Sequence, residues 1–125
     1  MFKLLLLVGA GGCLGSICRY LVQQGFARLL AGSFPTGTLL VNVAGSFLIG
    51  IVYAWSEKNG LLSAEGRLFL ATGFCGGFTT FSTFSYEMLL LLRQGAPGYA
   101  LLYAATSVLA SLLATAAGVY LTKFL

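Results

Sequence analysis

Residues 73–87 read GFCGGFTTFSTFSYE. Glycines at 73, 76 and 77 loosen its start, and phenylalanines at 74, 78, 81 and 84 are interleaved with Thr79, Thr80, Ser82, Thr83 and Ser85. The stretch lies within a run, 68–92, long enough to cross a bilayer as a helix. A helix that faced only lipid would have no use for so many hydroxyls. Either the aromatic residues simply pack, or the segment faces something that hydroxyls can bind.

The rest of the chain sets the context. Only 8% of its 125 residues are charged and 58% are hydrophobic, whereas soluble domains carry about 25% charged residues. A bilayer spares such a chain the exposure of its apolar surface to water. Four runs meet the requirement of about 20 apolar residues per crossing: 4–24, 37–56, 68–92 and 99–122. The expected fold is an all-α membrane protein, a single four-helix transmembrane domain over 1–125. The opening MFKLLLLVGAGGCLGS has some features of a signal peptide, but the apolar pattern continues through ICRYLVQQGF without a convincing cleavage site. It reads better as the first helix.

Cys13, Cys18 and Cys75 all fall within proposed spans, and the chain has no histidine to complete a zinc site. They read as small buried side chains. With no histidine, no embedded pair of acids and no nucleophile beside a base, an enzyme is not expected. The net charge of +4 suggests mild attraction for anions at aqueous mouths, and no nucleic-acid partner is expected.

Four crossings put Lys3, Lys58, Arg67 and Lys123 on one side, and Arg28 and Arg93 on the other, joined by Arg19 if its side chain reaches back to that interface. Orientation follows an excess of Lys and Arg in cytoplasmic loops, and four against three is scarcely an excess. Either the chain inserts both ways and pairs antiparallel, or something other than this balance fixes its orientation. A single four-helix unit of this size also offers little interior for a pore, which favours an oligomer.

Small and polar residues mark the packing faces. Gly11 and Gly15, and Gly12 and Ser16, are spaced four apart, as in helices that approach closely in lipid. In the second helix Asn42, Ser46 and Gly50 share a face. Asn42 either ties helices together or turns its amide toward an aqueous vestibule. In the fourth, Tyr103, Ser107, Ser111 and Thr115 recur every four residues, which suggests a lined path, although each hydroxyl alone could bond back to its own helix.

In the third span the Gly76–Gly77 pair is expected to weaken the helix and break it near Gly76–Thr79. Broken backbone is tolerated at membrane depth only where protein or a cavity satisfies it. Beyond the break, Phe78, Phe81 and Phe84 step by three along one face, with Thr79, Ser82 and Thr83 on an adjacent one. Ring edges carry partial positive charge and hydroxyls donate hydrogen bonds, so together they suit a small anion that must be partly dehydrated yet released. Glu87, the only carboxylate within a span, is either an interfacial anchor or a pore-side acid.

GGCLGSICRY, GTLLVNVAGSFLIG and GFCGGFTTFSTFSYE resemble the signature segments of the Fluc (CrcB-type) fluoride channels, and the resemblance extends over essentially the whole chain. It implies a dual-topology antiparallel homodimer in the bacterial inner membrane, with two pores that passively export fluoride and so lower its toxicity. By matched position, Phe81 and Phe84 would contact fluoride with their ring edges and Asn42 would be the vestibule amide. Tyr103, Ser107 and Ser111 would form a polar track, with Ser82 and Thr83 nearby. Main-chain carbonyls of Gly76 and Thr79 from both subunits would hold a structural sodium ion (Na+) at the dimer centre. Two alternatives stand beside this reading. A small dual-topology four-helix secondary transporter would need a carboxylate deep in the first helix, and residues 4–24 contain none. A non-transporting membrane assembly protein would leave the hydroxyl-rich third span unexplained.

Overall fold

A computed structural model describes residues 1–58 and 60–125. The described residues form helices and connecting turns, with no strand among them. Helix α1 spans Phe2–Leu29 and α2 spans Thr36–Glu57. Three helical pieces, Ala64–Arg67, Leu68–Cys75 and Gly76–Phe78, run on without leaving the right-handed helical region at their junctions; together they are called α3. Helix α4 spans Phe81–Arg93 and α5 spans Pro97–Leu121.

Helices α1, α2 and α5 are each long and apolar enough to cross a membrane. At 28 residues α1 is about 42 Å long, more than the hydrocarbon core requires. The third crossing is shared between α3 and α4, which the interruption keeps from being one helix. The outward faces carry leucines such as Leu101, Leu109, Leu112 and Leu113, all exposed. Water would reject such a surface and lipid accepts it, so this is a multi-pass membrane protein.

Local chemistry fixes the ends. Ser63 accepts a hydrogen bond from the Gly66 N–H at the start of α3 (3.0 Å). At the end of α4, Gly95 takes a positive φ of 71° and the Ala96 N–H reaches back to the Leu91 carbonyl at 2.9 Å. That closes the helix in the manner glycine favours, and Pro97 then opens α5 at a position where its missing N–H costs nothing.

Packing is dominated by two pairs, α1 against α3 and α2 against α5. A methyl group at Gly15 would collide with the Phe74 carbonyl, and one at Gly77 with the Gly12 backbone. The small residues of α1 therefore bring two backbones into contact, the arrangement expected from their spacing.

This packing corrects the expected origin of the break. Gly76 and Gly77 are helical, and the residues that leave the helix are Thr79 (φ −83°, ψ 157°) and Thr80 (φ −152°, ψ 118°). Gly77 serves the approach of α1. The interruption comes instead from hydroxyls: Thr79 Oγ1 donates to the Cys75 carbonyl at 2.8 Å, and Thr80 Oγ1 caps α4 by accepting from the Thr83 N–H at 3.2 Å. Phe78 consequently parts company with Phe81 and Phe84. It is buried on α3 and stacks on Phe74 with 5.7 Å between ring centroids.

The two ends of the bundle are distinct. At one, Lys3 pairs with Glu65 at 2.8 Å and the Lys58 ammonium caps the Thr122 carbonyl at the end of α5. At the other, Phe34 meets Tyr99 and Tyr103 edge-on, with centroids 6.3 and 5.6 Å apart. Arg19 does not reach back to that interface; its Nη1 donates to the Thr79 carbonyl at 3.3 Å. The basic residues at the two ends therefore stand at four against two.

Candidate functional site

The site is organised by the break. Asn42 on α2 brackets Thr80 from both directions: its Nδ2 donates to the Thr80 carbonyl at 3.1 Å, and its Oδ1 accepts from the Thr80 N–H at 2.8 Å. One side-chain amide thus replaces the helical acceptor that the Thr80 N–H has lost and adds a bond to the carbonyl with which Thr80, as the N-cap, opens α4. In a continuous helix the Thr80 N–H would bond the Gly76 carbonyl, and the Thr83 N–H would bond the Thr79 carbonyl. Both donors are engaged elsewhere, so these two carbonyls are released from helical duty. They are hard oxygen donors, chemically suited to a small hard cation.

A cleft of about 370 Å³ opens against the break. It brings together Asn42, Phe81, Phe84, Ser107 and Ser111 from the predicted pathway, and Gly76 and Thr79 from the predicted cation site. Phe81 and Phe84 lie with ring centroids 5.6 Å apart, and Phe84 lies 4.9 Å from Tyr103. Phe81 is 78% exposed, whereas its neighbour Phe84 packs against the core. Ser107 is only 8% exposed, and its Oγ is buried without a hydrogen-bond partner. A hydroxyl in that condition is costly unless something else uses it.

The remaining predicted residues are distributed differently. Tyr103 is fully buried at the far end of its stripe, where its hydroxyl donates to Glu87 Oε2 at 2.7 Å. Ser82 and Thr83 gather around Thr80 Oγ1 at 3.3 and 3.1 Å. Thr115 leaves the stripe's open part: its hydroxyl reaches the Ser46 carbonyl at 3.1 Å and the Ser111 carbonyl at 3.0 Å, tying α5 to α2.

Glu87 is partly buried and faces a second cavity of about 420 Å³, shared with Gln23, Thr38 and Thr83. A chain of hydrogen bonds runs from Gln23 Nε2 to Thr38 Oγ1 at 3.0 Å and from Thr38 Oγ1 to Glu87 Oε1 at 2.7 Å. Both carboxylate oxygens thus accept from hydroxyls, one from α2 and one from α5. Sequence reasoning missed Gln23, Thr38 and Thr80. A signal existed for Thr38, which extends the Asn42–Ser46–Gly50 face by one turn, and for Thr80, which sits three residues before Thr83 at a helix start.

A lipid-facing bundle with one crossing broken at mid-length, and with hydroxyls and aromatic rings lining a cleft at the break, defines a small polytopic membrane protein whose polar chemistry is turned inward. The chain belongs to the CrcB-like protein family: the sequence model of that family, described as Camphor Resistance (CrcB), matches residues 6–119. Curated relatives extend over nearly the whole chain. A protein of Leptospira interrogans serovar copenhageni named fluoride-specific ion channel FluC is 49% identical over 97% of this chain and 95% of its own length. Proteins of the same name are 49% identical in Chlorobaculum tepidum, over 98% of this chain and 97% of the relative, and 45% identical in Caulobacter vibrioides, over 95% and 94%.

Proposed function

We propose that the chain is a fluoride-selective channel. In this reading two chains insert in opposite orientations in a bacterial inner membrane, pair antiparallel, and form two pores. Fluoride leaves the cytoplasm passively, down its gradient, so the protein lowers fluoride toxicity without an energy source. The relatives' names supply the ion, and their near full-length similarity supports carrying it to this chain.

The observation that carries the reading is the Ser107 hydroxyl, buried and unpartnered in the cleft that Phe81 and Phe84 also line. It is a donor without an acceptor, on the wall of a space with aromatic rings. A small anion fits both: the hydroxyl donates to it, and ring edges replace part of its water without holding it fast. Ser111 continues the same wall. Asn42 retains one Nδ2 hydrogen beyond the one given to Thr80, a further donor on the wall of the cleft. Ser82 and Thr83 stand nearby as further hydroxyl donors, and Tyr103 ends the track.

Glu87 stands at the end of that track as a pore-side acid. While Tyr103 donates to it, the phenol cannot donate to an anion, so Glu87 and fluoride use the same proton in turn. The exposure of Phe81 supports the paired state, since a second chain would cover it. Sodium held by the Gly76 and Thr79 carbonyls of both chains would supply a fixed charge at the two-fold centre, and no step of permeation is assigned to it.

Purified protein in liposomes loaded with fluoride tests the proposal. Fluoride release without a proton gradient, far faster than chloride release, is expected; retention of fluoride would defeat the channel reading.

A further inference from the structure

A chain that enters the bilayer alone must satisfy its broken backbone before any partner arrives. This chain does so with three side chains from α1 and α2. Asn42 takes both polar groups of Thr80, the Ser16 hydroxyl approaches the Gly77 carbonyl at 3.5 Å, and Arg19 donates to the Thr79 carbonyl at 3.3 Å. Ser16 and Arg19 are three residues apart on α1 and so reach the break from one face. Arg19 is half-buried, α1 contains no Asp or Glu to neutralise it, and the contact it makes is with a carbonyl oxygen.

An arginine inside a crossing is costly and needs a partner. Here the partner is one of the carbonyls released by the break. The guanidinium thus holds the Thr79 oxygen as a bound cation would. We propose that Arg19 is a built-in competitor for that cation: it occupies the Thr79 carbonyl within each chain, and a sodium ion displaces it when two chains pair. This rests on the reading that sodium binds at the dimer centre. A carbonyl has two lone pairs and could in principle accept both partners. Two guanidinium groups and a sodium ion gathered within a few ångströms, away from water, would repel one another strongly. Exchange avoids that repulsion, and frees each Arg19 to swing along α1 toward water.

The test uses the full chain in detergent, with sodium chloride as the probe and N-methylglucamine chloride maintaining ionic strength. The dimer fraction and the thermal midpoint are followed against sodium for the wild type, Arg19→Gln and Arg19→Lys. Removing the competing charge should lower the sodium concentration for half-maximal pairing at least about tenfold in Arg19→Gln, while Arg19→Lys, which keeps a charge, stays closer to the wild type. An unchanged or raised sodium requirement in Arg19→Gln would overturn the proposal, because Arg19 would then be positioning the carbonyl. Failure of Arg19→Gln to pair at any sodium concentration would overturn it too, since sodium is proposed to take over from the guanidinium. If the wild type itself pairs without regard to sodium, the cation reading fails, and the competition falls with it.

Discussion

The Asn42 side chain and the Thr80 peptide exchange two hydrogen bonds, at 3.1 and 2.8 Å, across the gap between α2 and the break. No other side chain could do the same without both a donor and an acceptor at that spacing. The pair holds the interruption open as a defined turn and keeps Phe81 and Phe84 at the cleft.

Asn42→Ala removes both bonds and leaves the Thr80 N–H unsatisfied in a low-dielectric setting. A loss of about 2–4 kcal/mol is expected, read from unfolding of the purified protein in detergent. Asn42→Asp keeps the acceptor but sets a carboxylate oxygen against the Thr80 carbonyl, and should fare no better. Wild-type stability in both variants would mean that the break is held by other contacts.

The α1–α3 contact gives a paired prediction. Gly15→Ala puts a methyl group into the Phe74 carbonyl and should destabilise by about 2 kcal/mol or more. Gly25→Ala, on the same helix, meets nothing within 4 Å and should be neutral or stabilising by up to about 1 kcal/mol. Thermal midpoints of the two variants decide it: similar shifts would show that backbone approach is not what these glycines serve.

Much of this arrangement was legible in the sequence, for physical reasons that also mark where reading stops. Apolar runs of membrane length gave the crossings, because hydropathy depends on composition and hardly on neighbours. Asn42 stood out as a lone amide in an apolar helix. The break was expected in nearly the right place for the wrong cause: glycine's low helix propensity is worth about 1 kcal/mol, and the contact of Gly77 with the Gly12 backbone outweighs it. The hydroxyls of Thr79 and Thr80 did the interrupting. Phe78 was assigned to the face of Phe81 and Phe84 because the spacing assumed a helix continuous through residue 80. The Gln23–Thr38–Glu87–Tyr103 chain draws on four different helices. No single-helix periodicity could have assembled it.

Ser107→Ala separates function from stability. The hydroxyl has no protein partner to lose, so the variant should be as stable as the wild type or slightly more so. If the hydroxyl serves a passing anion, fluoride flux should fall by about tenfold or more, the worth of one hydrogen bond to a charged group. Flux unchanged within about twofold, far below the value of that bond, would remove Ser107 from the pathway.

With Arg19 turned inward, four basic residues at one end face two at the other, a small excess for setting orientation. Labelling of a C-terminal tag in intact and permeabilised cells should find it on both sides of the membrane in comparable shares. Labelling confined to one side would contradict the antiparallel pairing.

Whether Phe81 and Phe84 line a path for fluoride is decided by fluoride efflux from liposomes, followed with a fluoride electrode. Phe81→Ile and Phe84→Ile should each suppress the wild-type efflux by at least about a hundredfold, as removal of an interaction worth several kcal/mol implies, while the protein keeps its dimeric size on gel filtration. Wild-type efflux rates in both variants would contradict the account.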